Sequence, residues 1–163
     1  MAANVLDRFE FRSVRVNEAE EVAEIEKICF PPHEVCSKKD MFERVEHAPE
    51  LFLVAVDKET GTIAGFLNGL ATDEEAFRDE FFTDITVHNP EGKNIFLLGL
   101  DVRPEYRRQG LAREIMNQYV KREQAKGRKM LKLTCLEQKG IKKWATKTKV
   151  SLLLYGVMKS GMR

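Results

Sequence analysis

Two spacings of hydrophobic residues share this chain. Phe9, Phe11, Val14 and Val16 alternate imperfectly with polar residues and predict a first strand over 9–16. Val22, Ala23, Ile25, Ile28 and Cys29 recur at helical spacing and predict one apolar helix face. Asn17 suits the cap of that helix, and Glu18, Glu20 and Glu21 suit the positive end of its dipole. Pro31-Pro32 stops it near Phe30 and stiffens a loop over 30–36. Ser37 then caps a second helix, Lys38–His47, with Met41, Phe42 and Val45 on its apolar side.

The period changes again downstream. Residues 51–56 and 62–70 read as two strands joined by the turn Asp57-Lys58-Glu59-Thr60-Gly61, where Gly61 can take a positive φ. Gly65 and Gly69 mark close packing or bulges in the second strand. Over 71–82, Asp73, Glu74, Glu75, Asp79 and Glu80 are interspersed with Phe77, Phe81 and Phe82, which predicts a short helix with its rings inward. Its acidic side is either a solvated face or a negative wall that attracts an amine. A polar loop over 86–93 leads into the apolar run 95–100, a buried strand. Leu111, Ile115, Met116, Tyr119 and Val120 define a further helix, closed near Lys126-Gly127, and 130–135 is a last strand. The order β-α-α-β-β-(α)-β-α-β is that of an α/β domain with a mixed sheet.

The chemistry concentrates where the run 95–100 gives way to a helix. Between them lies Pro104-Glu105-Tyr106-Arg107-Arg108-Gln109-Gly110. The first N–H groups of a helix lack internal partners and carry the positive end of the dipole. Gly110 has no side chain to keep an anion away from them, and Arg107 and Arg108 add charge. The expected function of the segment is to cradle a pyrophosphate. It is no P-loop, lacking Gly-Lys-Ser/Thr, and no dinucleotide fingerprint, having a single glycine.

Composition narrows the setting. With 163 residues, one domain is expected, and a net charge of +1 shows no global bias towards nucleic acid or membrane. The first residues have no apolar core of a signal peptide, and no run reaches membrane length, so a cytoplasmic chain is expected. Cys29, Cys36 and Cys135 are odd in number and in no ligand spacing. His33, His47 and His88 are scattered, so no metal is assigned.

Arg107, Gly110 and Ala112, following a strand, resemble the coenzyme A motif Arg/Gln-x-x-Gly-x-Gly/Ala of the GNAT superfamily of N-acetyltransferases. The likeness spans 9–139. Leu100-Asp101-Val102 with Tyr106–Gly110, Ala48-Pro49-Glu50-Leu51 and Cys29-Phe30 are similar to the serotonin (arylalkylamine) N-acetyltransferases and their bacterial relatives. The resemblance implies a GNAT-like, mostly antiparallel central sheet flanked by helices, with acetyl-CoA as cosubstrate and a small primary amine as acceptor. It implies a monomer or homodimer with neither nucleic acid nor membrane as partner. By the same resemblance Leu100, Asp101 and Val102 hold the pantetheine arm as a neighbouring strand would. Arg107, Arg108, Gln109, Gly110, Leu111, Ala112 and Arg113 surround the pyrophosphate.

The resemblance does not extend to the proton carriers. Phe96 and Leu98 stand where the animal enzymes of the subgroup carry two histidines, so the base is left to water, to a carboxylate within 73–80, to Glu50 or to Asp101. The family's tyrosine acid, in Phe-Tyr-x-x-Phe-Gly-Phe, has no counterpart after Lys139, and Tyr155 does not take that role. The tail 140–163 contains no Asp or Glu. Read one base back in the genetic code, it can encode Tyr-x-Lys/Glu-Met-Gly-Tyr, in which Trp144/Ala145 must give Gly. A frameshift near Lys139-Gly140 is therefore expected, leaving 163 residues as one N-acetyltransferase domain with an atypical tail.

Overall fold

The computed structural model describes residues 4–30, 32, 35–75, 80–128 and 130–133. In chain order they form helix α1 (Val5–Arg8), strand β1 (Phe9–Ser13), helices α2 (Ala19–Cys29) and α3 (Lys38–His47), strands β2 (Phe52–Asp57) and β3 (Ile63–Thr72), the short helix α4 (Glu80–Thr83), strand β4 (Asn94–Val102), helix α5 (Leu111–Ala125) and strand β5 (Met130–Leu133). The sheet order is β1-β2-β3-β4-β5; the first four strands are antiparallel, and β5 runs parallel to β4. The residue pattern predicts the mixed sheet of an α/β domain, and the resemblance implies its mostly antiparallel form with flanking helices; the fold has both.

Every residue of β2, β3 and β4 is buried, which is why these strands read as nearly continuous apolar runs. One face packs Leu53, Leu67, Ile95 and Leu97 against Leu111, Ile115, Met116 and Tyr119 of α5. The other packs Phe52, Val54 and Phe66 against Val22 and Ile25 of α2 and Met41 and Val45 of α3. Two bulges interrupt the alternation. Ala55 faces Gly65 while Val56 faces Ile63, so Ala64 is extra; Asn68 faces Gly99 while Gly69 faces Leu97, so Leu98 is extra. The second bulge reverses the phase of β4: Ile95 and Leu97 face α5, and after it Leu100 and Val102 do so. The expected close packing at the glycines is present, since a Cβ on Gly65 would lie 2.5 Å from the Asp101 carbonyl oxygen.

Several expectations are corrected. The first strand ends at Ser13; Val16, 63% exposed, begins a turn of 3-10 helix, and Glu18 rather than Asn17 caps α2. The Glu18 carboxylate is taken up by both Arg12 guanidinium nitrogens at 2.8 and 2.7 Å and by the Arg15 N–H. Ile28 and Phe42 are exposed, while Glu26 and Arg44 are buried in their helices. Ser37 does cap α3, accepting the Asp40 N–H at 3.1 Å. Phe81 is buried against Phe96, but Phe77 and the side chain of Phe82 lie outside the described residues, as do Cys135 and the tail 140–163. Among the described residues no helix is long and apolar enough to cross a membrane, and no cluster of His, Cys, Asp and Glu is suited to a metal ion.

Candidate functional site

The loop after β4 is tied to β3 at its first residue. Arg103 donates its N–H to the carbonyl of the bulged Ala64 and its Nε–H to that of Ile63, each at 2.8 Å. A turn of 3-10 helix, Pro104–Tyr106, follows, and Gly110 then starts α5 with φ +81°. Arg108 is also left-handed, at φ +63°, a region sparsely used by residues with a side chain. A Cβ on Gly110 would meet nothing within 4 Å, so the helix N-terminus opens onto free space.

That space is a cleft of about 430 Å³ between the C-terminal half of β4, the start of α5 and the end of α2. Of the residues expected there, Leu100, Val102, Arg107, Arg108, Gly110, Leu111 and Ala112 line it. Three do not. Gln109 directs its amide oxygen to Arg8 (3.0 Å). Arg113 is exposed on α5. Asp101 is buried on the far side of the strand, beside Asn68 above Gly99. Asn68 in turn accepts from the buried Arg44 at 3.5 Å.

Cys29, Phe30 and Tyr106 also line the cleft, and sequence reasoning had not placed them there. The Val102 carbonyl accepts from Arg107 Nε at 3.0 Å and from the Cys29 thiol at 3.4 Å. Burial raises the Cys29 pKa, with Arg107 nearby opposing the shift. Cys36 is more desolvated and is pushed up to about 11. Both thiols therefore stay protonated at neutral pH. The cue available in the sequence was position: Cys29-Phe30 ends a helix whose continuation is blocked by two prolines.

The arrangement can hold an extended polar chain at its edge and an anion at its end. Among the described residues β5 pairs with Asn94–Leu97, and beyond that stretch Leu100 and Val102 of β4 line the cleft. Phe96 and Leu98 sit in an apolar cluster with Leu70 and Phe81. His88, 4% exposed at its side chain, accepts the Ala71 N–H on Nδ1 at 3.1 Å, which leaves Nε2–H to donate to Glu50 Oε1 at 3.0 Å. Both ring nitrogens are thus engaged within the fold, and Glu50 already takes part in a hydrogen bond.

Comparison with known proteins agrees with this architecture. The chain is 30% identical over 114 residues to the probable hydrolase YhcX of Bacillus subtilis, of which it spans 22% of the length. The loading GNATL domain of CurA from Lyngbya majuscula superposes with a TM-score of 0.69 at 15% identity, over 80% of this chain and 66% of that one. Diaminobutyrate acetyltransferase EctA from Paenibacillus lautus, solved with L-2,4-diaminobutyric acid and coenzyme A, gives 0.60 at 14% identity, over 86% and 74%. A GNAT acetyltransferase from Brucella melitensis with acetyl-CoA gives 0.55 at 16% identity, over 82% and 80%. Residues 19–142 match the family model of the acetyltransferase (GNAT) family, and the chain belongs to that family.

Proposed function

We propose that this chain is an acetyl-CoA-dependent N-acetyltransferase of a small primary amine, and that arylalkylamines are the first class to test. One observation carries the reading: a strand edge, a helix N-terminus and two arginines converge on one cleft. The residues fit coenzyme A. Leu100 and Val102 offer apolar surface and strand-edge groups to the pantetheine arm. Arg107, Arg108 and the N–H groups following Gly110 suit the pyrophosphate. The solved relatives that hold coenzyme A or acetyl-CoA support this assignment.

The reaction joins the amine nitrogen to the acetyl carbon and breaks that carbon's bond to sulfur; the ammonium nitrogen gives up two protons in all, one released to a base and one ending on the thiolate. Phe96 and Leu98 can carry neither proton, and His88 is engaged elsewhere. Base catalysis therefore falls to water or to a carboxylate. The same apolar cluster favours a second reading, a coenzyme A-binding protein that catalyses poorly.

We further infer one cytoplasmic domain over 1–163, working as a monomer or homodimer, with 140–163 replaced by a change of frame near 139–140. Sequencing the gene decides that point: an alternative frame without Tyr-x-x-Met-Gly-Tyr overturns it. For the activity, acetyl-CoA is titrated calorimetrically and thiol release is followed with a panel of amines. Saturable binding with amine-dependent thiol release supports the enzyme, and binding without release supports the second reading. Absence of binding overturns both.

A further inference from the structure

We propose that Arg8 and Asp57, both outside the coenzyme A motif, are positioning residues that hold the loop 107–110 in its anion-ready conformation. The proposal rests on the coenzyme A reading of the cleft.

The loop needs such support. Arg108 and Gly110 are both left-handed, and only Gly110 adopts that conformation without steric penalty. A non-glycine residue stays there when its surroundings over-determine it. The intramotif bonds hold one side: Arg107 donates to the Val102 carbonyl at 3.0 Å, and its own N–H reaches the Pro104 carbonyl at 3.2 Å. Gln109, between the two left-handed residues, donates one long local bond to the Glu105 carbonyl at 3.5 Å and is tied more closely from elsewhere. Its Oε1 accepts from Arg8 Nη1 at 3.0 Å, across 101 positions of sequence.

Arg8 is itself held in place. Its Nη2 lies 3.5 Å from Asp57 Oδ2, its carbonyl accepts the Lys58 N–H at 3.1 Å, and its guanidinium sits 5.2 and 5.3 Å from the ring centres of Phe9 and Tyr106. Asp57 is 1% exposed and closes the network: Oδ2 accepts the Tyr106 hydroxyl at 2.8 Å, and Oδ1 accepts the Glu59 N–H at 3.0 Å. One carboxylate thus ties the β2–β3 turn to the residue just before Arg107 and, through Arg8, to Gln109. Neither Arg8 nor Asp57 lines the cleft, so Arg8 acts on a ligand there through Gln109 and the loop, and Asp57 acts through Arg8 and through Tyr106, which does line it. Arg8 and Asp57 carry opposite charges, so the pair adds order to the site more than net charge.

The test uses the full chain and the variants Arg8→Ala and Asp57→Asn. Kd is measured for coenzyme A and for pantetheine, which lacks the pyrophosphate, and amide hydrogen exchange is followed over 106–111 without ligand. Arg8→Ala should weaken coenzyme A about tenfold and leave pantetheine unchanged, because only the pyrophosphate end depends on the preset loop. Exchange at the Tyr106 and Arg107 amides should quicken by a similar factor. Asp57→Asn should act in the same direction. Equal losses for both ligands, or wild-type affinity and wild-type exchange in Arg8→Ala, overturn the proposal. If the wild-type chain binds no coenzyme A, the functional reading fails, and the exchange comparison alone decides the role of Arg8.

Discussion

The two halves of β4 share a strand and a burial class but serve different ends. From Asn94 to Leu97 the strand is paired on both sides, and its side chains go to the core: Ile95 and Leu97 against α5, Phe96 against Phe81 and Leu70. From Leu98 to Val102 it carries a bulge, lies along a cleft, and bonds through its Val102 carbonyl to Cys29 and Arg107. The first half is a fixed element, and in the function proposed above the second is a template for the pantetheine arm. A bulge marks the change because one extra residue re-aims everything that follows it.

The comparison breaks most sharply at Phe96. Phe96→Ala should destabilise the domain by about 3–5 kcal/mol in denaturant titration, the usual cost of a buried phenyl ring. The folded fraction should bind coenzyme A as before; a lower affinity in that fraction would mean that the halves are not separable. At the other end, Gly110→Gln should leave the melting temperature within a few degrees and weaken coenzyme A about a hundredfold, because a side chain would occupy the anion's place. An unchanged Kd by calorimetry would remove the helix N-terminus from the site. Arg107→Ala should cost less, about tenfold, since the backbone donors remain.

Asp57 sharpens the contrast through pH. Its carboxyl is held below the ordinary range, first by the Glu59 N–H and then by the Tyr106 hydroxyl. A lowered folded-state pKa contributes stability in full above the unfolded value of about 4, and that stability is lost as pH falls through the folded value. Chemical denaturation of Asp57→Asn from pH 6 to 3 should therefore show a shallower acid limb than the wild type. An identical limb would mean that Asp57 is not the group responsible. The smallest effect is expected at Ile28, which is exposed: Ile28→Ala should change stability by less than about 0.5 kcal/mol.

What could be read in advance follows from the range of each interaction. The strands were legible because burial on both faces leaves apolar runs, and α5 because its apolar residues repeat along one side. The cleft's own motif was legible because Arg107, Gly110 and Ala112 are neighbours in sequence. Periodicity misjudged Ile28 and Phe42, which sit at the margin of their helices' apolar stripes, and it overlooked Glu26 and Arg44, whose burial depends on polar partners from other elements. The bulge opposite Asn68 and Gly69 was read only in part: Gly69 signalled close packing or a bulge in β3, but nothing in the residue type announced that the extra position would be Leu98 of β4. Arg8 and Asp57 were missed for a related reason: the fold brings Arg8 to Gln109 over a separation that no local pattern can register.

The carboxylate of Asp57 also bears on how the molecule can be engineered or can diverge. The tip of the β2–β3 turn, Lys58 to Gly61, is solvent-exposed or nearly so and looks like neutral ground for an inserted tag or a loop of new length. Asp57, just before that tip, is not neutral, because the carboxylate that shapes the turn also accepts the Tyr106 hydroxyl. Insertions after Glu59 preserve that double attachment, whereas a turn grafted with a different residue at 57 would detune the proposed anion site without touching it. Substitutions at Asp57, Tyr106 and Arg8 should therefore be non-additive in their effect on the loop, although the three positions share no segment.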